Sequence, residues 1–432
     1  MLGLDKFGDG IGLHRIIRFC RLHDIDMEFI SARSIVVTGS KGKGSTARFI
    51  YSILRDVLPH VGCFTSPHLY TLLERFEHDG AYIARGLFDH HLNRALAFAQ
   101  QLRGEGDRLG QFELLFLIAL GWFNDLRPDC IVWEAGIGGR YDPVRVLGAV
   151  LGVLTSVEFE HTDLLGSSLE QIAFDKVDAI APGGRIFVSP SVSSALHERL
   201  QGFGCVARKN LTFVADEIAI TDIDTTVART KFDARFKDRT SYSVTLGLLG
   251  SHQVCNAATA LAAADAFLKS RAIGAPMATL IEAIAHSKLP GRMEQLAVSP
   301  DIWIDVGHTP ESVRTVCDEF VRLFAGRKIL AVFGVSYNKS IAEIVQIVDH
   351  RFDNVILTRA HKNGTDPAAL APYFSNHEKI LALTNSIEEA VAMVRALTTH
   401  SDQTVVVVGG LFLAVEFATA WRGQDPRSLA FF

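Results

Sequence analysis

The stretch Thr38-Gly39-Ser40-Lys41-Gly42-Lys43-Gly44-Ser45-Thr46 decides the fold of this chain. The apolar run at residues 35–38 predicts a buried strand before it, and the apolar spacing of residues 47–57 predicts a helix after it. Glycines between a strand and a helix let backbone N–H groups turn towards a phosphate group. Lys43 would bring a positive charge to the β- and γ-phosphates of a nucleotide. The stretch therefore predicts an α/β domain with a phosphate-binding loop.

This loop differs from the usual pattern G-x-x-x-x-G-K-[ST] at two positions. Val37 stands where the first glycine would be, and Gly44 separates Lys43 from Ser45. Either Ser45 or Thr46 can cap the helix or reach Mg²⁺. The alternative is a Gly-rich turn with an exposed lysine and no ligand. The combination of two lysines and three glycines at a helix N-terminus favours the phosphate site.

The composition is that of an ordinary globular protein. The chain has 432 residues, of which 48% are hydrophobic and 21% charged, so it can form two or three domains with cores of their own. The net charge is −5 and no block of like charges stands out, which argues against a nucleic-acid surface or an anionic-membrane anchor. No apolar run predicts a signal peptide or a membrane span. We expect a monomeric, cytoplasmic protein that acts on small molecules.

The cysteines are scattered along the chain and include no C-x-x-C pair. This pattern predicts reduced core residues of a cytosolic protein and not a disulfide or zinc framework. The six positions are Cys20, Cys63, Cys130, Cys205, Cys255 and Cys317.

Apolar runs along the chain predict two α/β domains. Residues 130–133 and 150–157 look like further buried strands, and residues 111–123 have the length and spacing of a helix packed on them. A mostly parallel sheet with flanking helices follows from this order. The Thr-rich, alternating segment at residues 216–249 predicts shorter, partly antiparallel strands within the first domain.

The sequence SKLPGR at residues 287–292 combines proline and glycine and is the predicted linker. We therefore predict a first domain over residues 1–288 and a second over residues 289–432. The second is predicted to be a small Rossmann-like α/β domain. Its predicted strands are residues 302–304, 329–333, 354–357, 380–383 and 405–408, with helices at 311–324 and 387–397.

Further motifs follow the loop in a defined order. They are Thr65-Ser66-Pro67-His68-Leu69, Glu74-Arg75, Phe112-Glu113-Leu114-Leu115, Glu134-Ala135-Gly136-Ile137-Gly138-Gly139-Arg140, Glu160-His161-Thr162, Ile172-Ala173-Phe174-Asp175-Lys176, His252-Gln253 with Asn256-Ala257, Leu289-Pro290-Gly291-Arg292 and Asp305-Val306-Gly307-His308. Together they resemble the motifs of the Mur ligase superfamily, and in particular of its folylpolyglutamate synthase and dihydrofolate synthase branch. One such motif would be weak evidence, whereas the whole series in the family order is a specific signal.

The resemblance implies both a fold and an activity. The fold is a P-loop central domain of the Mur ligase type with a mostly parallel sheet, followed by a smaller Rossmann-like α/β domain. The activity is that of an ATP-dependent ligase, which joins a carboxylate substrate to an amino acid such as glutamate through an acyl phosphate and releases ADP. The implied cofactors are ATP and two Mg²⁺ ions. The implied nucleotide-binding residues are Gly39, Ser40, Lys41, Gly42, Lys43, Gly44, Ser45, Thr46, Asn256, Arg292, Asp305 and His308.

Three further residues are predicted near the metal ions. Glu134 ends a predicted strand and enters a Gly-rich turn, where an α/β sheet places a Mg²⁺ carboxylate beside the phosphate loop. The alternative for Glu134 is a solvated acid at a strand end. The resemblance implies that Ser66 lies near the first Mg²⁺ and His161 near the second. A lone histidine is more often a structural residue, so the prediction for His161 depends on the resemblance.

Lys176 lies in an otherwise apolar helical stretch, where a lysine must find a partner or lose its charge. The apolar residues of this stretch are Leu169, Ile172, Ala173, Val177 and Ile180. The resemblance implies that CO₂ carbamylates this lysine and that the carbamate helps to hold the second Mg²⁺. The alternative is a surface lysine whose stem lies on apolar neighbours. The implied catalytic residues are Lys43, His161, Lys176 and Arg292.

The second domain is expected to close over the nucleotide. Arg292, Asp305 and His308 resemble family residues that contact the phosphates and ribose of ATP from that domain. His252 and Asn256 resemble the family's helix near the adenine, although packing in the core would explain them as well.

The sequence departs from the family pattern on several loops. The family's RFN is replaced by Thr71-Leu72-Leu73, its DATN by Asp142-Pro143-Val144-Arg145, the Asn after DGAH by Thr309, and its C-terminal D-K-D by Asn338-Lys339-Ser340. These loops are expected to flank the acyl substrate or the incoming amino acid. A folate-type acid is the first hypothesis for the substrate. The alternatives are a related ligase for a different acid, such as a secondary metabolite or a glycan, and a nucleotide-binding regulatory protein without turnover.

Overall fold

The computed structural model describes residues 8–202, 210–337, 339–398 and 403–430. Within these ranges the chain forms three β-sheets with helices packed against them. The strands are β1 (Ser34–Thr38), β2 (Val61–Phe64), β3 (Phe76–His78), β4 (Ala81–Tyr82), β5 (Cys130–Glu134), β6 (Leu151–Leu154), β7 (Arg185–Val188), β8 (Asn210–Phe213), β9 (Ile218–Thr225), β10 (Thr230–Phe236), β11 (Ser241–Leu246), β12 (Glu294–Val298), β13 (Asp301–Ile304), β14 (Ile329–Phe333), β15 (Asn354–Leu357), β16 (Ile380–Leu383) and β17 (Thr404–Val408).

The α-helices vary from one turn to 20 residues. They are α1 (Leu13–Leu22), α2 (Met27–Arg33), α3 (Lys43–Arg55), α4 (Arg85–Gly104), α5 (Gln111–Leu126), α6 (Thr162–Leu165), α7 (Leu169–Val177), α8 (Ser194–Gly202), α9 (Val214–Glu217), α10 (Gln253–Ser270), α11 (Met277–Ala285), α12 (Pro310–Leu323), α13 (Ile341–Arg351), α14 (Pro367–Leu370), α15 (Ile387–Thr398) and α16 (Leu411–Trp421). Short 3₁₀ turns include Leu72–Arg75 and Pro143–Leu147.

The first sheet has the strand order β4-β3-β2-β5-β1-β6-β7-β8. Its strands from β2 to β8 are parallel, and β3 and β4 add an antiparallel edge. All five residues of β1 are buried because helices cover both faces, as a parallel sheet requires. Phe64, Phe116 and Trp133 belong to the core on one face, and Val37 and Ile50 to the core on the other. The predicted strand, loop and helix around Lys43 are confirmed.

The segment at residues 216–249 forms an antiparallel sheet with the order β11-β10-β9. Its apolar residues Phe232 and Val244 share a core with Leu261 of α10. The prediction of antiparallel strands attached to the first domain is therefore confirmed.

The remaining sheet has the order β12-β13-β17-β14-β15-β16 and is parallel except for β12. The predicted strands at residues 329–333, 354–357 and 380–383 have the same bounds in the structure. Strand β12 was not predicted. It lies at the edge of the sheet and has no fully buried residue, so it lacks the apolar run that marks an interior strand.

Two predicted elements are shorter in the structure than the sequence pattern indicates. The strand predicted at residues 150–157 is limited to β6, because the backbone after it turns to the phosphate loop, where Ser40 donates its N–H to the carbonyl of Ser156 at 3.0 Å. Helix α7 ends at Val177, so Ile180, which the helical pattern had included, lies outside the helix.

Five cysteines fall within the described ranges. Cys20, Cys63, Cys130 and Cys317 are buried, Cys255 is partly buried, and all five are free, as predicted. Cys205 and Asn338 lie outside the described residues. None of the described helices combines the length and the apolar character needed to cross a membrane.

The two large sheets meet near the predicted linker. Leu69, from the loop after β2, enters the apolar core of the second large sheet together with Ile302 and Val306. Gly291 has a φ of 71°, and a Cβ on it would lie 3.0 Å from Leu69 and 2.7 Å from Val306, so glycine is required at this crossing. The two large sheets lie on opposite sides of residues 288 and 289 in the chain, and the domain boundary there stays a prediction.

Candidate active site

The phosphate loop keeps its shape because two glycines meet other parts of the first domain. Gly39 and Gly42 have φ values of 145° and 80°. A Cβ on Gly39 would lie 1.9 Å from Oγ1 of Thr155, and one on Gly42 would lie 2.4 Å from Oδ1 of Asn256. Larger residues would therefore push the loop away from β6 and from α10. The predicted partner Asn256 is thus placed directly against the loop.

Lys43 is the first residue of α3 and is half-buried. Its Nζ donates to the carbonyl of Gly39 at 2.8 Å and to that of Ser40 at 3.3 Å. Lys43 is therefore not a fully exposed lysine, because its side chain folds back into the curve of the loop. Its charge therefore lies beside the N-terminus of α3, where a phosphate group would meet it.

Ser40 and Lys41 attach the loop to the segment after β6. The N–H of Lys41 donates to Oγ of Ser156 at 2.8 Å, and its ammonium group forms an ion pair with Glu158. The N–H of Glu158 donates to Oγ of Ser40 at 3.0 Å. Of the two lysines in the loop, only Lys43 directs its charge into the loop, and Lys41 has a partner elsewhere.

Ser45 and Thr46 begin α3 and are both buried. Oγ1 of Thr46 is buried and has no hydrogen-bond partner among the residues that the structure describes. A buried hydroxyl group without a partner is costly and indicates a ligand atom or a water at this place. This hydroxyl is a suitable ligand for a cation.

Glu134 ends β5 and is buried beside the first turn of α3. A Cβ on Gly44 would lie 3.5 Å from Oε1 of Glu134, and the N–H of Ser66 donates to Oε2 at 2.8 Å. Burial raises the pKa of Glu134, and the positive charges of Lys43 and Arg292 oppose this rise. Glu134 and Ser66, both predicted near a metal ion, are therefore brought together.

Lys176 is fully buried and donates from Nζ to Oε1 of Glu160 at 2.6 Å. The alternative of a surface lysine is wrong, because α7 directs the side chain inwards. Burial lowers the pKa of Lys176, Glu160 raises it, and Lys43 lowers it further. Burial would also raise the pKa of Glu160, but the charges of Lys176 and Lys43 more than offset this and hold it below its usual value.

His161 follows Glu160 directly and is exposed. Its φ of 45° is left-handed and starts the short helix α6. The structure thus places His161 next to the pair of Glu160 and Lys176, on the solvent side.

The Gly-rich turn after β5 holds α7 in place. Gly138 has a φ of 69°, and its carbonyl accepts a hydrogen bond from the Thr38 hydroxyl at 2.8 Å. Asp175 accepts the N–H of Gly139 with its carboxylate at 2.8 Å and that of Arg140 with its carbonyl, also at 2.8 Å. This turn therefore connects the strand before the phosphate loop to the helix that carries Lys176.

Arg292, in the predicted linker before the second large sheet, contributes a positive charge to the site. The positive charge of Arg292 lowers the pKa of both Glu134 and Asp305, although burial raises both pKa values overall. Asp305 is buried and accepts the N–H groups of Gly307 at 2.7 Å and Met293 at 3.0 Å. Asp305 therefore shapes the backbone on both sides of Arg292. His308 is exposed at the same edge.

The helix predicted near the adenine also reaches this junction. Burial lowers the pKa of His252 to about 4, and the effects of Glu319 and Arg292 on the same group show that the second sheet's elements lie close to it. Asn256 donates from Nδ2 to Oε1 of Gln253 at 3.0 Å. Packing therefore accounts for part of this motif.

Comparisons with known proteins show the family and the fold. The family described as "Mur ligase, glutamate ligase domain" matches residues 291–411. The folylpolyglutamate synthase of Lacticaseibacillus casei is 30% identical over 426 residues, which cover 95% of this chain and 94% of that protein. This chain belongs to the folylpolyglutamate synthase family. The fold of the family is also shared by the Mycobacterium tuberculosis folylpolyglutamate synthase complexed with ADP, with a TM-score of 0.85, 23% identity, and coverage of 98% and 96%.

One further solved structure and one longer protein are also similar to this chain. Escherichia coli FolC in complex with DHPP and ADP has a TM-score of 0.81 and 24% identity, and the match covers 98% of this chain and 95% of that one. A probable bifunctional folylpolyglutamate synthase/dihydropteroate synthase of Halobacterium salinarum is 30% identical over 392 residues. That match covers 90% of this chain but only 47% of the relative, so the chain spans about half the length of that protein.

The residues that depart from the family pattern have structural partners. Leu72 and Leu73 are half-buried and pack on the core of the first sheet. Arg145 donates to the carbonyl groups of Asp178 and Ile180 beyond the end of α7. The guanidinium group of Arg145 therefore stabilises the backbone after α7.

Sequence reasoning missed Glu160 as a site residue of this folylpolyglutamate synthase family member, although it belongs to a motif that resembles DHT. The signal was available, since a buried lysine requires an acidic partner. It also missed Arg75, which is buried, donates to Nδ1 of His68 at 3.1 Å and lowers the pKa of Glu134. No sequence pattern places Arg75 near Glu134. The path of the chain between Thr65 and the 3₁₀ turn brings Arg75 there.

Proposed function

We propose that this protein is an ATP-dependent ligase that joins a folate-type carboxylic acid to the amino group of glutamate. The substrate carboxylate attacks the γ-phosphate of ATP, ADP leaves, and the amine then displaces phosphate from the acyl phosphate. The observation that carries the proposal is the convergence of Lys43, Glu134 and the pair of Lys176 and Glu160 around the N-terminus of α3, with Arg292 acting on Glu134 from the linker.

The nucleotide-binding part rests on the phosphate loop. Its two positive-φ glycines and the inward position of Lys43 provide backbone N–H groups and a charge for phosphate oxygens. The solved structures from M. tuberculosis and E. coli described above contain ADP. We assign the phosphates to Gly39 through Thr46, and the ribose and adenine side to Asn256 and His308, with Asp305 holding the backbone beside them.

Magnesium fits two places in this arrangement. At the first, the unpartnered Oγ1 of Thr46 and the buried carboxylate of Glu134 are hard oxygen ligands, with Ser66 beside them. At the second, Glu160 provides a carboxylate next to His161 and Lys176. Bound Mg²⁺ would neutralise the charge that develops on the phosphoryl oxygens.

Lys176 is suited to carbamylation. CO₂ reacts with the neutral amine, and burial favours that form by lowering the pKa of Lys176. The carbamate would be an anion beside Glu160, so the two groups together could hold a second Mg²⁺. Carbamylation and metal binding would then depend on each other.

The protein's own groups position the reactants and neutralise charge. Lys43 and Arg292 approach the site from opposite sides of the junction and would share the negative charge of the transferring phosphoryl group. Closure of the second domain over the first would exclude the water that hydrolyses an acyl phosphate.

The folate substrate is supported by the relatives' names and by the structural role of the departing residues. Because Leu72 and Leu73 pack on the core, their apolar character reflects folding and does not indicate an apolar substrate. The alternatives from the sequence, a ligase for a secondary metabolite or glycan and a regulatory protein without turnover, have no observation in their favour.

The proposed function is tested by ADP release. Dihydropteroate and tetrahydrofolate are offered in turn with glutamate, other amino acids or no amino acid, in the presence of MgATP. We expect ADP release that requires both a folate-type acid and glutamate. A folded protein that binds ATP but releases no ADP with either acid would contradict the folate assignment, and release that is independent of any amino acid would contradict the ligase.

A further inference from the structure

A cluster of two histidines and one aspartate lies at the opposite end of β2 from Ser66. His60 comes directly before β2, His78 ends β3, and Asp79 follows in the turn to β4. Strands β2 and β3 pair antiparallel, and Asp79 donates its N–H to the carbonyl of Val61 at 3.1 Å. The start of β2 and the end of β3 therefore meet at one point. The proposed ligase reaction uses none of these three side chains.

The ligand atoms of this cluster are already close together. Nδ1 of His60 lies 3.1 Å from Oδ2 of Asp79, and Nε2 of His78 lies 3.2 Å from the same oxygen. All three ligand atoms lie within 4.8 Å of one another. Two ligands at about 2.0–2.1 Å from Zn²⁺, separated by a tetrahedral angle, are about 3.3 Å apart. The spacing from Asp79 to each histidine is thus close to an edge of a tetrahedral zinc site.

Neighbouring groups hold the three side chains in these positions. Oδ1 of Asp79 accepts the N–H of Val61 at 2.8 Å, which leaves Oδ2 for the histidines. The rings of His60 and His78 are stacked with centroids 5.6 Å apart, and the ring of His78 meets the edge of Trp122. Such outer contacts orient metal ligands before an ion arrives.

One ligand atom of the cluster also lacks a hydrogen-bond partner among the described residues. Nε2 of His78 is buried and has no hydrogen bond within the described part of the chain. This nitrogen lies 3.2 Å from Oδ2 of Asp79 without forming a hydrogen bond to it, so it is placed to bind a metal ion together with that oxygen. The side chain of His60 is 62% exposed, which leaves room for water as a further ligand.

We propose that His60, His78 and Asp79 bind a divalent transition-metal ion, with Zn²⁺ as the best match and water in the fourth position. Imidazole and carboxylate ligands suit this ion. The four residues of β2 separate the cluster from the loop of Ser66 by about 13 Å, at roughly 3.3 Å per residue. The ion would fasten the edge strands β3 and β4 to the start of β2, so its effect is on stability and not on the chemical step.

A second cluster provides a contrast. His90, His91 and Asp125 also lie together on α4 and α5. Nε2 of His91 is 3.8 Å from Oδ2 of Asp125, and the guanidinium group of Arg94 is 3.7 Å from the same oxygen. Because a fixed positive charge already neutralises this carboxylate, a metal cation is disfavoured there.

Zinc titration of the whole chain tests the proposal. The protein is stripped with a chelator and placed in millimolar Mg²⁺, so that sites for hard cations are filled. Zn²⁺ is then titrated in competition with a chromophoric indicator. We expect His60→Ala and His78→Ala to weaken the tightest zinc site by at least about 10-fold, since loss of even an outer partner costs that much. The matched control is His377→Ala, which removes an exposed histidine in a 3₁₀ turn far along the chain.

The melting temperature gives a second readout. Zinc is expected to raise it in the unmodified protein and in His377→Ala, and not in His60→Ala, whose exposed position should leave the fold intact in circular dichroism. The proposal is overturned if both histidine variants bind zinc as tightly as the unmodified protein. It is also overturned if the unmodified protein binds no zinc, or if a zinc-edge anomalous peak lies on other residues.

Discussion

The carboxyl ends of the two large sheets are built differently. At the first sheet, buried ionisable groups face one another: Glu134 lies beside α3, and Lys176 pairs with Glu160. At the second sheet, Asp305 is buried as well, but both of its carboxylate oxygens accept backbone N–H groups.

This difference separates two roles. Ionisable groups that are held close together at the first sheet can exchange protons, bind metal ions and stabilise developing charge. Each oxygen of Asp305 accepts one backbone N–H group, so this carboxylate fixes the chain on both sides of Arg292. We therefore expect the first sheet to carry the chemistry and the second to position one charge beside it.

The largest expected effect is that of Lys43→Ala. Its charge lies within the phosphate loop, so its loss should lower turnover by between about 10² and 10³-fold, the scale of one preorganised group. ADP release measures this, and circular dichroism checks the fold. The matched control is Lys41→Ala, whose ammonium group pairs with Glu158 and whose effect should be much smaller. Near-normal turnover by a folded Lys43→Ala protein would remove the phosphate loop from the mechanism.

Lys176→Ala should lower turnover by up to about 10²-fold, because the carbamate and its charge are lost. Formate or acetate should restore part of the activity by supplying a carboxylate in the vacated space. Activity of the unmodified protein should also fall in CO₂-free buffer. Lys237→Ala, at an exposed lysine paired with Glu217, serves as control. Full activity without CO₂, together with no rescue, would show that Lys176 acts as a simple cation.

Asp305→Ala should have a smaller effect on turnover and a clear effect on folding. The buried N–H groups of Met293 and Gly307 lose their acceptor, which costs about 1–3 kcal/mol of the free energy of unfolding. Chemical denaturation measures this, with Asp216→Ala on the exposed surface of α9 as control. A variant with normal stability but greatly reduced turnover would show that Asp305 has a direct chemical role. It would contradict the difference in role between the two large sheets.

The smallest expected effect is a pH dependence from His252. Its pKa is lowered from 6.5 to about 4, so the unfolded chain takes up a proton below pH 6.5 while the folded protein does not. The free energy of unfolding therefore falls as pH drops from 6.5 towards 4, by at most about 1.4 kcal/mol per pH unit. His252→Gln should weaken this dependence between pH 7 and pH 5, and His377→Gln should not. Equal dependence in both variants would show that His252 titrates normally.

Local sequence predicted several strands that carry an apolar run, although it missed the fully buried strand β2. The loop around Lys43 and the strands β14, β15 and β16 were found because their apolar runs and glycines determine the local backbone. Strand β12 was missed, because an edge strand does not need an apolar run. The extent of β6 was overestimated, because apolar Val157 continues the pattern after the backbone has left the sheet.

Sequence could predict a site residue only where the residue belongs to a recognisable local motif. Glu134 and Lys176 could be named from their motifs, but their partners come from distant parts of the chain. The pairing of Lys176 with Glu160 and the inward fold of Lys43 depend on how α7 and α3 pack. Such pairings are tertiary properties, and single-sequence patterns do not contain them.

The position of Leu69 couples the loop of Ser66 to the second large sheet. Leu69 is three residues from Ser66, whose N–H holds Glu134, and its side chain is packed in the core of the second large sheet. Withdrawing a leucine from such a core costs about 2 kcal/mol. If the second domain swung away during turnover, the loop would be pulled with it and Ser66 would be drawn off Glu134. Opening of the cleft and loosening of the proposed metal site would then be one movement, which would let ADP and phosphate leave together with the ion that held them.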